Sequence, residues 1–187
     1  MQTTKQALGE ALKQLLEQKT LNKITVSDLT DLCGVNRQTF YYHFRDIYDL
    51  LEWLYKEDLT KSVMPEYYDA HKWQIPYLAL YRNLKKNRVL VINVYHSAQK
   101  ELIERYVHQE AFRLLKEALD DWEADLGISA GEDNKRFIAA FYQAALVDMI
   151  FDWIDRGMRE EPEEIVRKTA LLLEGTFEDA LRKMQDH

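Results

Sequence analysis

The chain contains few of the residues that make turns and crosslinks: its 187 residues include one Cys, six Gly and three Pro. A single cysteine, Cys33, excludes a disulfide within the chain and fits a reducing compartment. The scarcity of Gly and Pro disfavours an all-β protein. No apolar run approaches the ~18 residues of a membrane span, and the N-terminus lacks the apolar core of a signal peptide. We therefore expect a helical, cytoplasmic protein without a membrane segment.

Charge is distributed unevenly along the chain, whose formal net charge is −7. Residues 1–45 contain six Lys and Arg against four Asp and Glu, so this segment carries +2 and the rest of the chain carries −9. The overall acidity argues against a protein that coats nucleic acid nonspecifically. A basic N-terminal segment on an acidic body nevertheless suits contact with phosphates at one end.

The spacing of apolar residues predicts helices along most of the chain. The first helix is expected from about Thr4 to Gln18, and two short helices follow between residues 25 and 44. Further helices are predicted at about 46–62, 74–86, 88–96, 98–126, 133–158 and 162–184. The sequence therefore predicts an all-α fold of about nine helices.

The two short helices lie on either side of a tight turn. Thr25 and Asp28 form a capping box at the start of the first helix. Gly34 stands where a helix ends in a left-handed residue, and Asn36 is a good N-cap for the second helix. Such a helix-turn-helix places its second helix in the major groove of DNA, which is wide enough for one helix.

The second short helix begins with residues that can read bases. Arg37 can pair bidentately with guanine, Gln38 can do so with adenine, and Thr39 can contact a thymine methyl group or a phosphate. The next hydrogen-bond donors are suited to phosphate oxygens, and such contacts set the register of the protein on the DNA. These donors are Tyr41, Tyr42 and His43. Phe40 and Phe44 are expected to pack inward. The alternative interpretation is a plain helical hairpin, which does not require two caps and a polar, aromatic exposed face.

The run TVSDLTDLCGVNRQTFYYHF resembles the DNA-binding signature of the TetR family almost without interruption. The resemblance implies a three-helix DNA-binding domain at residues 1–46 and a helical domain for ligand binding and dimerisation at residues 47–187. It places DNA contacts on the recognition-helix residues and on four neighbouring residues: Thr25, Ser27, Asn36 and Tyr48. Family members usually carry a phosphate-contacting Lys early in the fourth helix. This sequence has Ile47 there, with Arg45 and Tyr48 nearby as substitutes.

Two further segments, NRVLVINVYHS and FYQAALVDMIFDWIDRGM, resemble a TetR subgroup of dihydroxyacetone-kinase regulators. Some members of that subgroup are activators that work with a kinase-like co-activator protein. The resemblance implies a homodimeric regulator that binds a pseudo-palindrome in double-stranded DNA, under the control of a small-molecule effector or a co-activator protein. The alternative is a helical adaptor that binds a protein with the same surface.

Catalytic and metal-binding patterns are absent from the sequence. It contains no nucleophile–base pair, no glycine-rich phosphate loop and no metal-ligand spacing, so we expect no enzyme activity, no cofactor and no metal site. Most of the many aromatic residues of the C-terminal body are expected in the core. The candidates for a ligand pocket, which would be apolar with a few polar groups, are Tyr81, Tyr95, His96 and Tyr142.

The last two predicted helices, 133–158 and 162–184, are apolar around much of their circumference, which predicts that each buries two faces. One face would pack on the body of the subunit and the other on a second copy, giving a four-helix dimer interface. The alternative is burial within one subunit. The residues assigned to the dimer interface are Phe137, Phe141, Ala144, Phe151, Leu172 and Phe177.

Overall fold

The structure is a computed structural model and describes residues 3–63, 69–97 and 100–185. In these ranges it contains helices and no strands, which confirms the all-α prediction. The ten α-helices are α1 (Thr4–Leu16), α2 (Val26–Cys33), α3 (Arg37–His43), α4 (Ile47–Val63), α5 (Gln74–Lys86), α6 (Arg88–Tyr95), α7 (Lys100–Leu126), α8 (Glu132–Asp155), α9 (Pro162–Leu173) and α10 (Thr176–Lys183).

The predicted last helix, 162–184, is divided into α9 and α10. The break lies at Gly175, whose φ of 69° is in the left-handed region that favours glycine. Glu174 has already left the helical conformation, with a ψ of 119°. Apolar residues recur on both sides of this short interruption, so the hydrophobic pattern does not reveal it.

The described chain forms two compact units. The first contains the described residues of 1–64 and 86–100, with α1–α4 and α6. The second contains those of 65–85 and 101–187, with α8–α10 and all but one residue of each of α5 and α7. The first unit is thus larger than the three helices expected to bind DNA. The predicted boundary after residue 46 separates a DNA-binding domain from a regulatory domain by function, and it stays a prediction.

In the first unit, α1 packs against α2, α4 and α6. Three leucines spaced four residues apart, Leu8, Leu12 and Leu16, are fully buried along one side of α1. The side-chain amide of Asn93 in α6 donates a hydrogen bond of 2.7 Å to the carbonyl oxygen of Leu16. These contacts form the base on which α2 and α3 are held.

The core of the second unit is centred on aromatic residues from different helices. Trp122 of α7 stacks on Phe177 of α10 with ring centroids 4.6 Å apart. The ring of Tyr142 from α8 lies 4.3 Å from that of Phe177. The hydroxyl group of Tyr142 donates to the carbonyl oxygen of Thr176 at 3.0 Å. These contacts join α7, α8 and α10 around one cluster.

Helix α8 is long and apolar enough to cross a membrane, although the sequence contains no uninterrupted apolar run of about 18 residues. Half of its most apolar stretch is buried inside the protein. A core helix of a soluble protein meets the same criterion, so one such helix is weak evidence for a membrane span.

Lys135 of α8 is a buried cation held by three carboxylates. Its Nζ atom lies 2.6 Å from Asp120, 2.8 Å from Glu123 and 2.8 Å from Glu132. Burial by itself would lower the pKa of Lys135, but the hydrogen bonds to these carboxylates outweigh it and raise that pKa. The cluster fastens the start of α8 to α7.

We expect Lys135→Met to lower the free energy of unfolding by about 1–3 kcal/mol near neutral pH, because Glu123, which is mostly buried, loses its counter-ion. Lys135 is the largest cause of the lowered pKa of Glu123. A carboxylate whose pKa is lower in the folded protein stabilises the fold at pH values above its ordinary pKa. That stabilisation is lost as the pH falls through the pKa that the group has in the folded protein. Urea unfolding of the variant and the wild type should therefore converge at acidic pH. The exposed Lys183→Met serves as the control, and equal effects of the two substitutions would contradict the assignment.

Candidate nucleic-acid interface

A reciprocal capping box fixes the start of α2, as the sequence predicts. The backbone N–H of Thr25 donates to the Asp28 carboxylate at 2.7 Å, and the N–H of Asp28 donates to the Thr25 hydroxyl at 3.2 Å. Lys19 forms an ion pair of 2.9 Å with the same carboxylate. Lys19 and then Thr25 lower the pKa of Asp28 to about 2, so this cap is ionised at neutral pH.

The turn between α2 and α3 follows the predicted chemistry. Gly34 ends α2 with a φ of 65°, in the left-handed region. The side-chain oxygen of Asn36 accepts from the backbone N–H of Thr39 at 2.8 Å and from its hydroxyl at 3.0 Å. Helix α3 therefore starts at Arg37, and the Thr39 hydroxyl group is engaged by the Asn36 cap.

Helix α3 has one buried side and one exposed side. Phe40 is completely buried, and the Phe44 ring lies 6.0 Å from it. Trp53 of α4 packs on Phe44 with centroids 5.7 Å apart. This aromatic base fixes the orientation of α3 and confirms that the two phenylalanines pack inward.

The exposed side of α3 carries the residues predicted to contact DNA. Arg37 and Gln38 are exposed, Tyr42 is 84% exposed and Tyr41 is 57% exposed. His43 is half-buried, with its ring 4.9 Å from that of Tyr42. A short helix that presents hydrogen-bond donors and aromatic hydroxyls in this way has the surface that a major-groove reader requires.

The corner before α4 presents a cation where the family's usual Lys is missing. The side chain of Arg45 is 84% exposed, and its Nε atom lies 3.7 Å from Asp49. Tyr48 is also exposed, whereas Ile47 is half-buried. Arg45, one of the two expected substitutes, is thus an exposed cation at this corner, and its contact with a phosphate stays a prediction.

The predicted dimer residues are divided by the structure. Phe137, Phe141, Ala144 and Leu172 are exposed on the second unit. Phe151 and Phe177 are buried in the core of that unit, which corrects their assignment to the dimer interface. Leu171 was not assigned to the interface, but it is exposed beside Leu172.

The four candidate pocket residues are not brought together within one unit. Tyr81 and Tyr142 belong to the second unit, and Tyr95 and His96 to the first. Tyr81 is fully buried and its hydroxyl lies 3.3 Å from that of Tyr77, which in turn donates to the Leu146 carbonyl oxygen at 2.9 Å. A pocket formed by the four residues therefore stays a prediction.

Metal-ligating and thiol groups offer no further site in the part of the chain that the structure describes. No group of three or more His, Cys, Asp or Glu side chains in that part is arranged to hold a metal ion. The half-buried thiol of Cys33 lies 3.4 Å from the carbonyl oxygen of Ala7, and burial raises its pKa, so Cys33 is a packing residue between α1 and α2.

The geometry described above is that of a helix-turn-helix DNA-binding protein, and comparisons with known proteins identify its family. Residues 8–54 match the model described as bacterial regulatory proteins of the tetR family, and residues 71–175 match the model of a transcriptional regulator C-terminal region. The chain belongs to the TetR family and is a DNA-binding transcriptional regulator.

Relatives of known role agree with this assignment. The HTH-type dhaKLM operon transcriptional activator DhaS of Lactococcus lactis is 25% identical over 154 residues, which cover 82% of this chain and 81% of DhaS. A solved structure of a dihydroxyacetone kinase operon activator DhaS aligns with a TM-score of 0.75 at 24% identity, covering 94% of this chain and 96% of that one. The fatty acid degradation regulator FadR from Bacillus halodurans aligns with a TM-score of 0.66 at 19% identity, covering 92% and 96%.

Proposed function

We propose that this regulator acts in the cytoplasm as a homodimer that binds a pseudo-palindromic DNA site, with α3 of each copy in the major groove. The exposed polar side of α3 is the observation that carries the proposal. The caps at Thr25 and Asn36 and the buried Phe40 hold that side in a fixed orientation. Each half-site would lie about one helical turn from the other, or somewhat more.

An exposed apolar surface supports the homodimer. Phe137, Phe141 and Ala144 recur at helical spacing on α8, and Leu171 and Leu172 lie on α9. Phe141 is 64% exposed and Leu172 is 76% exposed. Large apolar side chains on two helices of one unit are unusual on a monomer surface and suit the self-complementary contact of two identical subunits. We call these five residues the apolar face.

The similarity to DhaS supports activation as the direction of regulation. DhaS is an operon activator at 25% identity to this chain. We infer that this protein activates an operon of the dihydroxyacetone-kinase type and responds through its C-terminal helices to a small molecule or to a kinase-like co-activator protein. Such control requires two conformations of the body that position the DNA-binding helices differently.

Two substitutions in α3 test the assigned roles. We expect Arg37→Ala to weaken binding to the cognate site by about 1–3 kcal/mol and to relax the preference at one base pair, because a bidentate contact to guanine is lost. We expect His43→Ala to weaken binding to all sequences alike, because its contact is with phosphate. Fluorescence anisotropy on the cognate duplex and on single-base variants at fixed salt measures both effects.

If both variants lost base discrimination, or if neither did, the assignment of Arg37 to base contacts and of His43 to phosphate contacts would be contradicted. The adaptor alternative has a separate signature. If this surface binds a protein, substitutions in α3 would disrupt a protein complex while the wild-type chain shows no sequence-specific DNA binding.

A further inference from the structure

The second unit contains an open groove lined by Phe177, by Leu171 at the edge of the apolar face, and otherwise by residues that no predicted site includes. It has a volume of about 440 Å³ and lies among the start of α5, the end of α7, α9 and α10. Binding sites for small ligands typically span roughly 300–1,000 Å³. The groove therefore has room for a small organic molecule.

A rigid aromatic wall forms one side of the groove. Trp122 stacks on Phe177, and Trp73 meets Phe177 edge to face with centroids 6.2 Å apart. The indole N–H of Trp122 donates to Nδ1 of His71 at 2.8 Å, and Nε2 of His71 lies 3.0 Å from the Asp125 carboxylate. Packing and hydrogen bonds hold these rings in place, so a ligand would not have to order them. Trp73 is only half-buried, whereas Trp122 and Phe177 are buried, so Trp73 offers a ligand more ring surface than either of them.

The groove also carries an excess of negative charge. Glu174 and Glu178 both line the groove. Glu174 has no ion-pair or hydrogen-bond partner among the described residues, and the nearest ionisable contact of Glu178 is Nδ1 of His71 at 3.9 Å. That Nδ1 atom already accepts from Trp122, so it offers no hydrogen bond to Glu178.

Among the described residues that line the groove, Arg167 is the one Lys or Arg, and it is already engaged. Arg167 donates to both oxygens of Glu164, at 3.0 and 2.9 Å, and Lys168 lies 3.1 Å from the same carboxylate. In the part of the chain that the structure describes, the lining groups, their ionic partners and Lys168, which shares Glu164 with Arg167, comprise two cations against four carboxylates, those of Asp125, Glu164, Glu174 and Glu178. Two negative charges remain in excess, which disfavours an anionic ligand.

We propose that this groove binds an organic cation with an apolar body, its charge facing Glu174 and Glu178 and its body resting on Trp73. Aromatic rings beside carboxylates are the combination that favours amines and quaternary ammonium groups. This inference deepens the effector control proposed above and rests on it only for the consequence of binding on transcription. Binding itself depends on the second unit alone.

Calorimetric titration of the full chain without DNA tests the site with three probes that share one ring: benzyltrimethylammonium, benzyl alcohol and benzoate. We expect the cation to bind most tightly and the anion most weakly. The double variant Glu174→Gln/Glu178→Gln should weaken binding of the cation by about tenfold and leave the neutral probe unchanged. The control Glu17→Gln removes an exposed carboxylate just after α1 and should change nothing.

Three results would overturn the proposal: no heat with the cation at roughly 10 mM, binding of benzoate at least as tight as that of the cation, or unchanged binding of the cation by the double variant. Both glutamates lie at or near the surface, so circular dichroism should show folded variants. Because the titration contains no DNA, its failure would leave sequence-specific DNA binding intact, and a failure of DNA binding would leave the titration interpretable.

Discussion

The double substitution Phe141→Arg/Leu172→Arg is expected to convert the protein into a monomer and to reduce its affinity for its DNA site by at least about 100-fold. Each arginine would place a charge in the apolar face, where the second copy would have to bury it without a partner. A monomer binds one half-site and loses the high effective concentration of the second DNA-binding helix, which is worth about 10²–10⁴ in affinity.

Because these two side chains are exposed, their substitution should affect dimerisation without unfolding the subunit. Because Phe141 and Leu172 contribute little to the core of their own subunit, the variant should keep its fold. Light scattering after gel filtration gives the mass, and a gel shift gives the affinity. Ile75→Arg is the matched control, since Ile75 is 63% exposed on α5 and lies outside the apolar face. A double variant that remains dimeric would show that the subunits meet elsewhere.

The second large effect concerns the support of α3. We expect Phe40→Ala to lower the free energy of unfolding by about 3–5 kcal/mol, because Phe40 is completely buried and its loss leaves a cavity beneath the recognition helix. Its ring forms a T-shaped pair with that of Tyr41, with centroids 5.4 Å apart, and lies 6.0 Å from the Phe44 ring. Urea unfolding followed by circular dichroism measures the loss.

Tyr42→Ala provides the contrast within the same helix. Tyr42 is 84% exposed, so its removal should change the free energy of unfolding by less than about 0.5 kcal/mol and should weaken DNA binding. A stability loss at Tyr42 as large as that at Phe40 would mean that the exposed side of α3 is packed against protein.

The sequence predicts the helix-turn-helix well because its signals are local. The capping box of Thr25 and Asp28, the left-handed Gly34 and the Asn36 cap each depend on residues within four positions of one another. Helical periodicity likewise predicts the ranges of α5 and α6 to within one residue. Local chemistry of this kind requires no knowledge of the tertiary structure.

Features that depend on contacts distant in sequence could not be predicted in this way. Phe177 lies in an apolar stretch that continues past Gly175, and the change of direction there turns its ring onto Trp122. The Tyr142 hydroxyl satisfies its hydrogen bond at Thr176, 34 residues away, and no spacing rule indicates such a partner. The groove beside His71 could not be predicted for the same reason, since three segments far apart in the sequence line it.

The exposed side of α3 as a reader of DNA sequence is the central claim, and one measurement tests it most directly. A labelled duplex from the DNA upstream of the protein's own gene is titrated with the wild-type chain by fluorescence anisotropy, at two salt concentrations and with an excess of unrelated competitor DNA. We predict a saturable complex of two chains per duplex that survives the competitor and weakens as salt increases. Two results would contradict the claim: no complex with any upstream segment, or a complex from which unlabelled unrelated DNA displaces the protein as readily as the unlabelled upstream duplex does.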